Sequence, residues 1–301
     1  MKWEGNRQSD NVEDRRGVAG SDSGRPRGIS GGMGIGTIAV ALLTAYFLGI
    51  NPMTVLQLLS EGSGTSASDP TSHPASQQGR QQTQVPANDR TTLFVKTVLA
   101  DTEDVWKNIF SESGKQYKQP KLVLFEEATN TACGRGDTAS GPFYCPGDQK
   151  VYIDLAFFQT MRERFQVNSE FAQAYVIAHE VGHHIQHLSG ISDKVDQQRH
   201  AVSEKQGNAL SVKLELQADC FAGVWAFHAD QARGILESGD IEGALKAATA
   251  IGDDTLQRQA RGQVVPDSFT HGSSEQRVRW FTRGIQSGKL NECNTFAANR
   301  L

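Results

Sequence analysis

The feature that most constrains this chain is Ala178-His-Glu-Val-Gly-His-His-Ile-Gln-His187, which contains one complete H-E-x-x-H, His179 to His183. On a helix, residues four apart lie nearly above one another, so His179 and His183 can offer two imidazole nitrogens to one ion. Glu180 sits about 100° further round, too far to join them but placed to take a proton from a water that the ion activates. The chemistry requires a helix, and the flanking residues supply its signals. Asn168-Ser169 offers N-cap side chains and Glu170 suits the positive first turn. Phe171, Tyr175, Ile177, Val181, Ile185 and Leu188 then spread apolar groups over much of the circumference before Gly190. A helix apolar nearly all round is a buried one, and burying His179, Glu180 and His183 is costly unless something pairs with them; zinc would. Ala174, Ala178 and Gly182, four apart, predict close approach of another helix.

Two histidines do not complete a catalytic zinc site, which takes three protein ligands and leaves a fourth position open. The best third candidate is Glu215, within Lys213-Leu-Glu-Leu-Gln-Ala-Asp-Cys-Phe-Ala-Gly-Val-Trp225. Glu215 and Asp219 are four apart in a largely apolar run and so share one helix face. One carboxylate can ligate the metal while the other accepts the free N–H of a ligating histidine and fixes its tautomer. We assign Glu215 to Zn2+ and Asp219 to His179. His187 is the rival ligand, but three ligands from one helix fan out along it and suit a tetrahedral ion poorly. His184 and His187 are expected to pair with nearby polar groups or solvent.

The ends of the 301-residue chain do not resemble its middle. A formal charge of −4 is neither basic enough to indicate nucleic acid nor acidic enough for a solvating tail. Residues 1–30 read as a polar cytoplasmic tail with nothing to build a core. Gly28 to Ser60 carries no charge, so 31–59 reads as a transmembrane signal anchor, with a cleaved signal peptide or a buried helix as the alternatives. The basic residues precede this stretch, which places the N-terminus in the cytoplasm and the rest beyond the membrane, in the periplasm or on the cell surface. Residues 60–90 form a polar, disordered linker that includes His73.

The folded domain is expected over 91–301. Phe94, Val95, Val98, Leu99, Val105, Trp106, Ile109 and Phe110 predict a long opening helix, and Lys121–Phe125 a strand. Pro146-Gly-Asp148 predicts a hairpin that delivers Val151–Ile153 as a strand, and Asp154–Phe165 a short helix. Further helical patterns follow at about 210–233, 241–251, 256–261 and 274–286. A small sheet followed by many helices is an α+β arrangement.

With these residues in view, the chain resembles the glutamate-ligated zinc peptidases and, more closely, the bacterial putative neutral zinc metallopeptidase family. The resemblance rests on Met1-Lys-Trp-Glu-Gly-Asn-Arg-Gln-Ser-Asp-Asn-Val-Glu-Asp-Arg-Arg16, the Tyr144-Cys-Pro-Gly-Asp148 turn, His179-Glu-Val-Gly-His-His-Ile-Gln186, Glu215-Leu-Gln-Ala-Asp-Cys220 and Thr270-His-Gly-Ser-Ser-Glu-Gln-Arg277. It implies a mainly helical, zincin-like minimal peptidase domain in which an edge strand before the zinc helix binds substrate backbone; here that strand would be Val151–Asp154. It also implies a role for His271, whose segment is similar to one that related membrane-tethered peptidases place beside their zinc. His271 would donate a hydrogen bond to the developing oxyanion. The alternative is a loop histidine that contributes to a helix cap. Arg277 could pair with an acid in the core.

Cys133, Cys145, Cys220 and Cys293 allow three pairings. Outside the cytoplasm disulfides are natural; Cys133 with Cys145 closes a short loop, leaving Cys220 with Cys293 to tie the C-terminal tail to the helix bearing Glu215. The combined expectation is a membrane-anchored metalloendopeptidase acting on a peptide or protein, with Glu180 as general base. A catalytically silent zinc-binding scaffold and a cell-wall peptide amidase are the alternatives.

Overall fold

The computed structural model describes residues 1–17, 89–138 and 141–301, a mixed α+β fold that is mostly helical with small sheets. The expected anchor at 31–59 and the linker up to residue 88 lie outside the described residues. Among the described residues no helix is long and apolar enough to cross a membrane.

Helix α1 (Arg90–Glu112) starts at Asp89, whose side chain accepts from the Thr91 and Thr92 N–H groups, so folded structure begins two residues before the expected boundary. A four-stranded sheet follows the order β1 (Val12–Asp14), β2 (Lys121–Phe125), β6 (Lys150–Asp154), β5 (Phe143–Cys145). The first three are mutually parallel and β5 is antiparallel to β6. Period-two alternation divides the faces: Leu122, Leu124, Val151 and Ile153 join the main core, while Val123, Phe125 and Tyr152 meet Cys145 and Phe143 on the other. A second hairpin, β3 (Ala128–Thr131) with β4 (Gly134–Asp137), packs there; the Phe143 ring lies where a side chain on Gly136 would be.

The strand expected at the sheet edge, Val151–Asp154, lies inside the sheet. The Pro146-Gly-Asp148 turn folds Phe143–Cys145 back along its free side, so β5 is the edge. The Cys133–Cys145 disulfide fixes that strand to the β3–β4 turn.

The helices are α2 (Ala156–Glu163), α3 (Glu170–Leu188), α4 (Ile191–Arg199), α5 (Glu204–Arg233), α6 (Asp240–Ala250), α7 (Asp253–Arg261) and α8 (Ser274–Ser287). Helix α4 was not apparent in the sequence: Gly190, in the left-handed region at φ 68°, ends α3 and at once starts α4. Helix α3 packs on the sheet and against α1, α5 and α6. The close approach expected at Gly182 is to α5, where a Cβ would stand 3.0 Å from the Ala218 carbonyl oxygen. Helices α5 and α8 approach still more closely: a Cβ on Gly284 would lie 2.1 Å from the Cys220 carbonyl oxygen, beside the Cys220–Cys293 disulfide.

Residues 1–17 are not a tail. Trp3 is 5% exposed, stands edge-on to Phe94 at 5.3 Å and donates to Glu170 at 2.9 Å. Glu103, on α1 and 1% exposed, receives Arg7 (2.9 Å), Ser9 (2.6 Å) and Asn11 (2.7 Å). A buried carboxylate with three such partners keeps its hydrogen bonds only while the N-terminal segment is docked. In β1, hydrogen bonds from Arg15 and Lys150 hold the Glu13 pKa down at about 2. The polar character that suggested a solvated stretch is that of a segment whose charges pair with one another, as Arg15 with Glu13, and with residues far along the chain, as Arg7 with Glu103 and Glu13 with Lys150.

Gly284→Ala is expected to lower unfolding stability by about 1–3 kcal/mol, because the added methyl meets backbone that cannot rotate away. A urea denaturation curve checks this; a midpoint at or above wild type would contradict the α5–α8 contact.

Candidate metal centre

Helices α3 and α5 cross where Gly182 meets Ala218, and that approach brings their polar residues together. His179 Nε2 lies 3.2 Å from His183 Nε2 and 3.2 Å from Glu215 Oε2, and His183 Nε2 is 3.5 Å from Glu215 Oε1. Ligands about 2.0–2.2 Å from a tetrahedral zinc stand roughly 3.3–3.6 Å from one another, so the three groups already lie close to the required separations. These three are brought together as a potential metal-holding group, as the sequence reading expected.

The other nitrogen of each ring is committed elsewhere. His179 Nδ1 donates to Asp219 Oδ1 at 2.8 Å, and His183 Nδ1 donates to Gln186 Oε1 at 2.9 Å. Gln186 is oriented in turn because its amide donates to the Leu214 carbonyl at 2.6 Å and to Gln217 at 3.2 Å. With both Nδ1 protons placed, two Nε2 lone pairs face each other beside a carboxylate. That arrangement fits a cation between them, and its N,N,O donor set suits zinc. The surrounding carboxylates also favour positive charge at this point, carried by a proton when no ion is bound. Burial opposes charge on His179, yet Asp219 and Glu215 outweigh it and raise its pKa to about 10. Burial likewise opposes ionisation of Glu215, but His183 and His179 pull its pKa well below the ordinary value.

Asp219 is fully buried and multiply bonded. Besides His179 it accepts Tyr175 Oη (2.5 Å) and both Nε and Nη2 of Arg277 (2.9 Å each). Burial disfavours the carboxylate, but Arg277 and His179 hold its pKa at about 2. Arg277 comes from α8, so the His179 tautomer is set by three helices at once. Of these partners, the sequence pointed to His179 and, less specifically, to Arg277 as a residue that could meet a core acid. Tyr175 was explained by packing, although its position four before His179 puts it on the same face. Gln186, three after His183, carried a comparable but unused signal.

Glu180 is buried beside the two histidines, and burial together with the Glu215 charge raises its pKa above the ordinary carboxylate value. His271 lies in the turn before α8. Asp253, at the start of α7, holds that turn: its Oδ2 accepts the N–H groups of Thr270, His271 and Gly272 at 2.8, 2.7 and 3.0 Å, and its Oδ1 lies 3.3 Å from His271 Nδ1. The His271 side chain is 54% exposed; partial desolvation opposes its protonation, but Asp253 and then the Glu215 charge raise its pKa. Asp253 was missed because no spacing rule links it to a residue 18 positions on. His184 is fully buried, donates to the Lys118 carbonyl at 2.7 Å and meets Tyr144 Oη at 3.0 Å; His187 meets Gln149 at 3.2 Å. Neither joins the cluster. His200 stands exposed near Asp196, and His228 bonds the Gly288 carbonyl at 2.9 Å; neither belongs to the His179–His183–Glu215 group. All four cysteines are paired, Cys133 with Cys145 and Cys220 with Cys293.

Known proteins match this chain over nearly its whole length. The family described as putative neutral zinc metallopeptidase matches residues 1–296. The uncharacterized protein YpfJ of Escherichia coli is 49% identical over 299 residues, covering 98% of this chain and 99% of that one. The uncharacterized protein Rv2575 of Mycobacterium tuberculosis is 42% identical over 205 residues, covering 64% of this chain and 67% of its own. No solved structure matches. A matched donor set on two crossing helices and a full-length family match lead to one conclusion: the chain belongs to the putative neutral zinc metallopeptidase family.

Proposed function

We infer that the protein is a zinc-dependent endopeptidase. The observation that carries this reading is the convergence of His179 Nε2, His183 Nε2 and the Glu215 carboxylate, with buried Glu180 beside them. Three protein ligands leave a tetrahedral ion a fourth position for water or substrate, whereas a structural site is closed by a fourth protein group. Bound zinc supplies Lewis acidity, which polarises the scissile carbonyl and eases loss of a proton from water.

The chain's own residues do the rest. Glu180, with a pKa lifted by burial, accepts a proton from the attacking water and passes it to the leaving amine nitrogen. His271, steadied and kept protonated by Asp253, donates to the carbonyl oxygen as charge develops there. Asp219 holds His179 with Nε2 facing the ion, and Arg277 and Tyr175 hold Asp219. An extended substrate has an edge to pair with in β5, whose Tyr144 packs against His184 of the metal-bearing helix. The two disulfides favour an oxidising compartment outside the cytoplasm.

Glu180→Gln should keep one zinc per chain and lose about 10²- to 10⁴-fold in cleavage of a mixed peptide library, while Glu215→Ala should lose the metal. Metal analysis and mass spectrometry of the digests check both; full turnover by Glu180→Gln with zinc bound would sink the mechanism. Arg277→Lys keeps the charge but loses the two-pronged grip on Asp219. Its zinc affinity, read by competition with a chromophoric chelator, should fall about 10- to 100-fold. An unchanged affinity would show that Asp219 needs no such support.

A further inference from the structure

The docking of residues 1–17 bears on how the chain lies relative to a membrane. The chain leaves the described unit at Gly17 and rejoins it at Asp89, and these two points touch: the Arg16 guanidinium bonds Asp89 Oδ2 at 3.1 Å and Thr92 Oγ1 at 2.6 Å. On the near side of that clasp, β1 is a parallel strand of the central sheet, and Glu103 is buried against Arg7, Ser9 and Asn11. Neither arrangement can exist with a membrane between residues 1–17 and α1.

We propose that residues 1–17 and the metal centre occupy the same compartment, and that the uncharged Gly28–Ser60 stretch does not carry the chain across a membrane. A chain that starts and finishes on one side crosses an even number of times. Two helical crossings need about 40 apolar residues, and this whole uncharged stretch is only 33 residues long, polar ones included. One crossing, the arrangement expected from the charge distribution, would tear β1 from the sheet and leave Glu103 buried without partners. The signal that suggested a cytoplasmic N-terminus, basic residues before an apolar run, is here partly structural: Arg7 is engaged by Glu103, Arg15 by Glu13, and Arg16 by Asp14 and Asp89.

The same clasp limits reach. Ten residues separate Gly17 from Gly28, and fully extended they span at most about 35 Å.

The proposal does not depend on peptidase activity. Single cysteines are introduced into the full-length chain at exposed N-terminal positions, Glu4→Cys or Asp10→Cys, and at exposed Lys115→Cys beyond α1. The native cysteines are paired, and the full-length chain without an introduced cysteine, labelled in parallel, gives the background. A membrane-impermeant maleimide is applied to bacterial spheroplasts before and after lysis. The expected result is that both ends behave alike, labelled together in intact spheroplasts or together only after lysis. Labelling at Lys115→Cys with protection at both Glu4→Cys and Asp10→Cys, or the reverse, would overturn the proposal.

Discussion

The Asp219 carboxylate is the contact on which the rest of the structure depends. It lies fully buried where α3, α5 and α8 meet and accepts from His179, Tyr175 and both prongs of Arg277. A charge removed from water is tolerated only when every acceptor site is used, and breaking such a pair costs about 3–5 kcal/mol. The same requirement fixes three helices and the tautomer of a metal-facing histidine. The bare approaches at Gly182 and Gly284 serve this arrangement, since bulkier residues there would push α5 away from its neighbours. Fold and site are thus one construction.

Features written in local spacing were legible in the sequence. His179, His183 and Glu180 follow from the helical repeat, and Glu215 with Asp219 from the same repeat on a second apolar run. Gly182 announced its close contact because a glycine inside a strong helix has few other reasons to be there. The strands at Lys121–Phe125 and Val151–Ile153 stood out because both faces are covered, which makes them continuously apolar.

What escaped was nonlocal. Asp253 and His271 meet only after α7 and the turn before α8 have folded back, and nothing in either segment marks the other. Strand order is equally invisible: Phe143–Cys145 is too short to announce that it, and not Val151–Asp154, closes the sheet. The N-terminal segment misled for an instructive reason. Its composition matches a solvated tail, but Glu103 supplies a buried acid for its polar groups and Phe94 an apolar surface for Trp3. Composition measures whether a segment can build a core alone; it says nothing of whether it completes one built by others.

The most direct test of the zinc site is anomalous diffraction at the zinc edge from crystals grown with one equivalent of the metal. It should place one ion about 2.0–2.2 Å from His179 Nε2, His183 Nε2 and a Glu215 oxygen, with a fourth position held by water. An ion closed in by a fourth protein ligand, or bound through Asp219 or His187 in place of Glu215, would contradict it.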